Sequence, residues 1–208
     1  ELSSAFLQDP DQPFEMLYGA GGYLHGLLLI RRFCGPQSIS LQLLYDVLRH
    51  IVAAGAQTPE FTRQGLLAYW WHGQMYLGGA HGLCGIYLQL LYGLRELTNA
   101  VQAGERLESV SADEGLGFVA RSKQAIRTSI SYLLQLLFPS GNLPSNPDNP
   151  FDQVVQWCHG SVGLVPLLCV ASEVYEEPEL LRQAVASADT IWERGLLWKV
   201  TGLCHGVS

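Results

Sequence analysis

Two Cys-His-Gly steps carry the most chemistry in this chain. One is Cys158-His159-Gly160, within Gln156-Trp157-Cys158-His159-Gly160-Ser161-Val162-Gly163, and the other is Cys204-His205-Gly206 near the end of the sequence. A third copy, Gly79-Ala80-His81-Gly82-Leu83-Cys84-Gly85, keeps the His-Gly-x-x-Gly frame with Ala80 where the others have cysteine. Thiols and imidazoles at equivalent points of a repeat can converge on one metal ion. Cys158, Cys204 and one histidine would supply three ligands and leave a fourth position open, the pattern of catalytic rather than structural zinc. The spacing is not that of a zinc finger, whose ligands come in close pairs. Free cysteine is also among the most buried residue types. A purely structural role for both thiols therefore stands beside the metal reading.

The elements that would position these residues are helical. Leu41, Leu44, Tyr45, Leu48, Ile51 and Val52 recur at three- and four-residue steps and predict an amphipathic helix over 38–54. Ile86 to Leu94 is an almost continuous apolar run, as in a buried helix, and Ala125 to Leu137 marks another amphipathic one. Gly163 to Val174 is apolar, and Leu180, Leu181, Ala184, Val185, Ala188 and Ile191 form its amphipathic partner. Gly19 to Gly22 reads as a break in a helical pattern, and residues 98–117, rich in Gly, Asp and Glu, read as a solvated loop. Pro139 to Pro150 carries four prolines after Phe138 and cannot be helix or central strand. Because that loop runs toward Cys158, it is expected to lie over the site. Trp70 and Trp71, ahead of the Gly79 copy, could line a cleft, but packing around the motif is the favoured reading. No stretch alternates as a strand would, so the fold class is all-α. A glycine motif opens an apolar helix, an amphipathic helix follows, and the unit repeats. This predicts an inner apolar layer and an outer amphipathic layer, with positive φ at the glycine helix starts.

Composition narrows the function. The chain has 208 residues, 48% of them hydrophobic, enough for a sizeable core. A net charge of −7 with only 12 Lys and Arg argues against nucleic acid as a partner. No apolar run reaches the ~20 residues of a transmembrane helix, and no signal peptide opens the sequence. Five widely spaced cysteines make a disulfide framework a poor reading and favour a reducing compartment.

Trp157-Cys158-His159-Gly160, Gly202-Leu203-Cys204-His205-Gly206 and Gly79-Ala80-His81-Gly82-Leu83 together resemble the lanthionine synthetase C-like (LanC-like) family. Leu17-Tyr18-Gly19-Ala20-Gly21-Gly22-Tyr23-Leu24 is similar to the family's early Tyr-Gly-x-x-Gly-Tyr-Leu segment. Ala188-Asp189-Thr190-Ile191-Trp192-Glu193-Arg194-Gly195-Leu196-Leu197 is similar to the segment leading into its second Cys-His-Gly. The resemblance implies an (α/α) toroid, a double ring of helical hairpins like that of the six-hairpin glycosidases. Residues 1–208 would form an incomplete portion of that ring, a partial domain shortened at its C-terminus and at its N-terminus.

Carried over residue by residue, the resemblance places a zinc ion (Zn2+) on Cys158, Cys204 and His205. It makes His81 the general acid–base and lets Lys199 contact glutathione. His81 as a plain helix-start histidine and Lys199 as a surface lysine remain open, as does a direct catalytic role for His159. Val162 and Cys84 depart from the usual family residues, and no role falls on His25, His50 or His72. The implied activity is zinc-dependent addition of a thiol to dehydroalanine or dehydrobutyrine in peptides or proteins. Glutathione is the thiol in the eukaryotic branch. A peptide cyclase forming lanthionine thioether rings, or a non-catalytic adaptor binding zinc and glutathione, are the other readings. Implied partners are glutathione, a dehydroamino-acid-containing peptide or protein, and protein kinases. The implied location is cytoplasmic, peripheral at the plasma membrane.

Overall fold

The computed structural model describes residues 9, 11–198, 201–202 and 204–205. Its helices are α1 (Ala20–Cys34), α2 (Leu41–Gly55), the single turn α3 (Pro59–Thr62), α4 (Leu83–Gln102), α5 (Ala112–Gln135), α6 (Ser161–Tyr175) and α7 (Pro178–Arg194). Among the described residues there is no strand, only an isolated bridge between Trp71 and Gln74. No described helix is long and apolar enough to cross a membrane.

α1, α4 and α6 lie side by side in that order. Outside them, α2 packs on α1 and α4, α5 on α4, and α7 on α6. The all-α expectation holds: the described chain is an arc of helical hairpins with an inner and an outer row. The core is the seam between the rows. Leu24, Leu44, Leu48, Ile51, Leu90, Leu94, Ile130, Leu133, Leu164 and Leu168 are fully buried there. Each such side chain contributes about 1.5–3 kcal/mol of transfer free energy. Arg31 is buried among these helices and bonds Glu96 and Glu105, both at 2.9 Å, and the carbonyls of Pro36 and Ile39.

The two rows begin their helices differently, and the difference serves the site. Outer helices α2 and α5 use serine caps, while α7 opens at Glu177-Pro178 without one. Ser40 Oγ accepts from Leu43 N at 3.1 Å, and Ser111 forms a capping box with Glu114. Inner helices start at glycines, which have no side chain of their own to cap with. In α1 and α4 the first N–H groups bond instead to backbone carbonyls of the preceding loop: Ala20 to Pro13, Gly21 to Phe14, Leu83 to Tyr76 and Cys84 to Leu77. The loops therefore fold back under their own helices, with the same pattern before α1 and α4.

Three readings need correction. Gly19–Gly22 is no break, since α1 begins at Ala20 and runs through both later glycines. Residues 98–117 are loop only over 103–111; the rest extends α4 and starts α5, whose capping box accounts for the acidic cluster. Positive φ is not general at the inner helix starts: Gly19 and Gly82 are extended, at −114° and −121°. Only Gly160, at φ 104°, needs glycine for its conformation. The loop from Pro139 is tied to the start of α6. It braces that helix: Asn142 Oδ1 accepts from Ser161 N at 3.0 Å, and Leu143 N donates to Ser161 Oγ at 3.0 Å.

That brace is pH-sensitive. Arg194 holds the Asp152 carboxyl down to about 2, with help from Ser140 and Asn142 and against the effect of burial. A carboxyl whose folded value lies below its unfolded value adds stability above the unfolded value, near 4. The contribution is lost as pH falls through 2. Both side chains are about one-third exposed, which discounts the pair to roughly 1–2 kcal/mol. Asp152→Asn should lose that much in chemical denaturation at pH 7. The gap to the unsubstituted protein should close as the pH approaches 2. A gap constant with pH would disprove the assignment.

Candidate functional site

The loops before the inner helices stack on one another through their backbones. Met16 N donates to Ala80 O at 2.9 Å, Gly79 N to Trp157 O at 2.8 Å, and Trp157 N to Cys204 O at 3.1 Å. The three motif copies are thus rungs of one stack, which is why residues far apart in sequence meet. Close approach needs glycine at Gly78, where a Cβ would lie 2.0 Å from the carbonyl oxygen of Cys158.

At the end of this stack Cys158, Cys204 and His205 come together. One ligand atom from each lies within 4.8 Å of the others, and Cys158 Sγ is 3.9 Å from His205 Nδ1. Cys158 is 6% exposed, Cys204 is half-buried and His205 is exposed, so the group has a protected and an open side. Cys158 Sγ also lies 3.3 Å from Gln156 Oε1, an acceptor for its S–H. Tetrahedral zinc with sulfur at about 2.3 Å and nitrogen at about 2.0 Å sets its ligands roughly 3.5–4 Å apart. Two sulfurs and a ring nitrogen in this arrangement fit such an ion with a contraction of about 1 Å or less.

His81 sits in the neighbouring rung with its own support. Its Nδ1 is 2.7 Å from Oε2 of Glu15, a carboxylate only 1% exposed, while the imidazole remains 17% exposed. Glu15 is held in turn by the N–H groups of Leu17, at 3.0 Å, and Tyr18. An ionised carboxylate only accepts, so the network assigns the shared proton to Nδ1 and leaves Nε2 directed elsewhere. Trp71 stacks on the imidazole, with ring centroids 4.1 Å apart and planes 10° from parallel. Tyr76 links this histidine to the thiol loop, its ring 6.5 Å from His81 and 5.3 Å from His159.

The remaining candidates scatter. Lys199 lies outside the described residues. His25 bonds Gln89, His50 packs on Phe14, and His72 stands exposed in the turn after Trp71. Burial drives the Cys84 thiol far above its usual range, which removes it as a nucleophile. Sequence reasoning missed Glu15 altogether, while its reading of Trp71 as packing around the motif agrees with the stack on His81. Glu15 lies four residues before Gly19, just as Gly78 lies four before Gly82. That register places Glu15 in the stack without marking it as a partner of His81.

Fold and site together define a helical-hairpin arc that carries a thiol–imidazole group on the loops opening its inner helices. The model of the lanthionine synthetase C-like protein family matches residues 2–208, and the chain belongs to that family. It is 33% identical over 199 residues to the glutathione S-transferase LANCL1 of Danio rerio, covering 94% of this chain and 44% of that protein. It is 31% identical over 198 residues to the LanC-like protein GCL1 of Arabidopsis thaliana, covering 94% of this chain and 40% of that one. The chain thus spans less than half the length of either relative.

Proposed function

We propose that this chain carries the centre of an enzyme that adds glutathione to dehydroalanine or dehydrobutyrine residues of peptides or proteins. The observation that carries the reading is the convergence of Cys158, Cys204 and His205 beside a histidine anchored by a buried carboxylate. A relative named as a glutathione S-transferase supports glutathione as the thiol. Cys158, Cys204 and His205 would hold zinc. When bound there, zinc lowers the pKa of an incoming thiol so that thiolate exists near neutral pH.

In the addition, sulfur bonds to the β-carbon of the dehydro residue and a proton goes to its α-carbon; nothing leaves and nothing is oxidised. His81 suits the proton transfer. Glu15 fixes its tautomer and Trp71 its plane, so Nε2 is the nitrogen that moves a proton. Lys199, five residues before Cys204, would pair with a glutathione carboxylate.

The test is mass spectrometry of a dehydrobutyrine peptide incubated with the zinc-loaded full-length protein, with and without glutathione. A glutathione thioether adduct is expected only when both protein and glutathione are present. A thioether formed without glutathione would make the protein a cyclase. Zinc and glutathione binding with no adduct would make it an adaptor.

A further inference from the structure

Trp70 and Trp71 point to opposite sides of one short hairpin. Trp71 N donates to Gln74 O at 2.9 Å and Gln74 N to Trp71 O at 3.0 Å. The two residues between, His72 and Gly73, have φ of 50° and 72°, as a two-residue turn of this type requires. Trp71 covers His81. Trp70, 41% exposed, turns away toward Phe61, with centroids 5.7 Å apart and planes at 66°. Phe61 in turn meets the Tyr132 ring edge-on, at 6.2 Å and 77°. These three rings border a half-open cavity of about 320 Å3 with Met75 at its base and Asp148 at its rim.

Aromatic faces carry negative charge density and hold cations within about 6 Å. The loop bearing Asp148 is fixed: Leu77 N donates to Ser145 O at 3.0 Å, and Asp148 N to Asn146 Oδ1 at 3.1 Å. Among the described residues that line the cavity there is no Lys or Arg to neutralise it. The Tyr132 phenol is shifted upward, by burial first and then by the carboxylates of Asp148 and Glu60, as expected where negative potential accumulates.

We propose that this cavity is a cation pocket for the side chain of a lysine in a polypeptide bound across the hairpin. The volume exceeds what an ammonium head alone would fill. It has room for the four-carbon stem along the rings, with the head at the rim. A carboxylate at the rim favours a primary ammonium, which donates hydrogen bonds, over a quaternary one, which cannot. The cation chemistry stands on the rings and on Asp148. Only the pocket's part in holding a peptide acceptor rests on the thiol-addition reading, so its test is a binding measurement made without glutathione or metal.

The chain contains two methionines, Met75 at the pocket base and Met16 beside the Gly85 turn. In protein labelled with 13C at the methionine methyls, acetyl-Gly-Lys-Gly-amide should shift the Met75 signal saturably and leave Met16 in place. The norleucine analogue should shift neither. Trp70→Leu should weaken the lysine peptide about tenfold or more. Asp148→Asn should weaken it a few-fold, with an unchanged Met16 signal reporting an intact fold. An equal response to the norleucine peptide, or a Met75 shift unaffected by both substitutions, would overturn the proposal. Tighter binding of choline than of the lysine peptide would also overturn it, and would reassign the pocket to a small quaternary ammonium.

Discussion

Cys204→Ala is expected to remove bound zinc and glutathione addition together. Zinc held by peptide-like sites at neutral pH is worth about 10–16 kcal/mol in all, so one of three or four ligands accounts for about 3–4 kcal/mol. Losing it should weaken zinc by roughly 10²–10³-fold, enough to empty the site on dialysis against a mild chelator. Cys204 is half-buried and lies on a loop, so its side chain adds little to the hydrophobic core. The thermal midpoint of the metal-free protein should therefore move little. Elemental analysis of the purified full-length variant decides the matter. Full zinc content in Cys204→Ala would return both thiols to the status of buried structural cysteines.

His81→Ala should separate what Cys204→Ala removes together. Its imidazole is not part of the thiol–imidazole group, so zinc content should stay unchanged. The addition rate should nevertheless fall by about 10²–10⁴-fold, the usual scale of a positioned acid or base. Glu15→Gln keeps an oxygen for Nδ1 but loses the charge, and should cost about tenfold. Trp71 still stacks on the ring in that variant, so the imidazole stays in place. Rates are to be read from single-turnover formation of the thioether adduct. Zinc loss in His81→Ala would make His81 a ligand. Full activity would leave it as a histidine that merely opens α4.

That Cys158 and Cys204 could meet with a histidine was legible because the chain spells the same short frame repeatedly, and equivalent points of a repeat are brought onto one stack. That the histidine is His205 was implied only by the family resemblance. The helices were legible wherever one face is apolar, as in α2 and α7. What escaped notice was written in single letters. Glu15 meets His81 across 66 positions, and no local pattern distinguishes it from a surface glutamate. The acidic run at residues 111–114 looked like loop because Ser111, Asp113 and Glu114 are also what a capped helix start uses. Asn142 was hidden for the opposite reason. A proline-rich segment announces a loop, but not that one amide within it will cap the helix following Cys158.

The stacked loops also set the order in which the protein becomes competent. Helical hairpins close over short stretches of chain and pay little loop-closure entropy, so they form early. Each bond of the stack, from Met16 to Ala80, from Gly79 to Trp157 and from Trp157 to Cys204, ties segments that must first search for one another across whole hairpins. The thiol–imidazole group is therefore complete only when the last of these closures is made. If the group holds zinc as proposed, uptake during refolding should trail the recovery of helix.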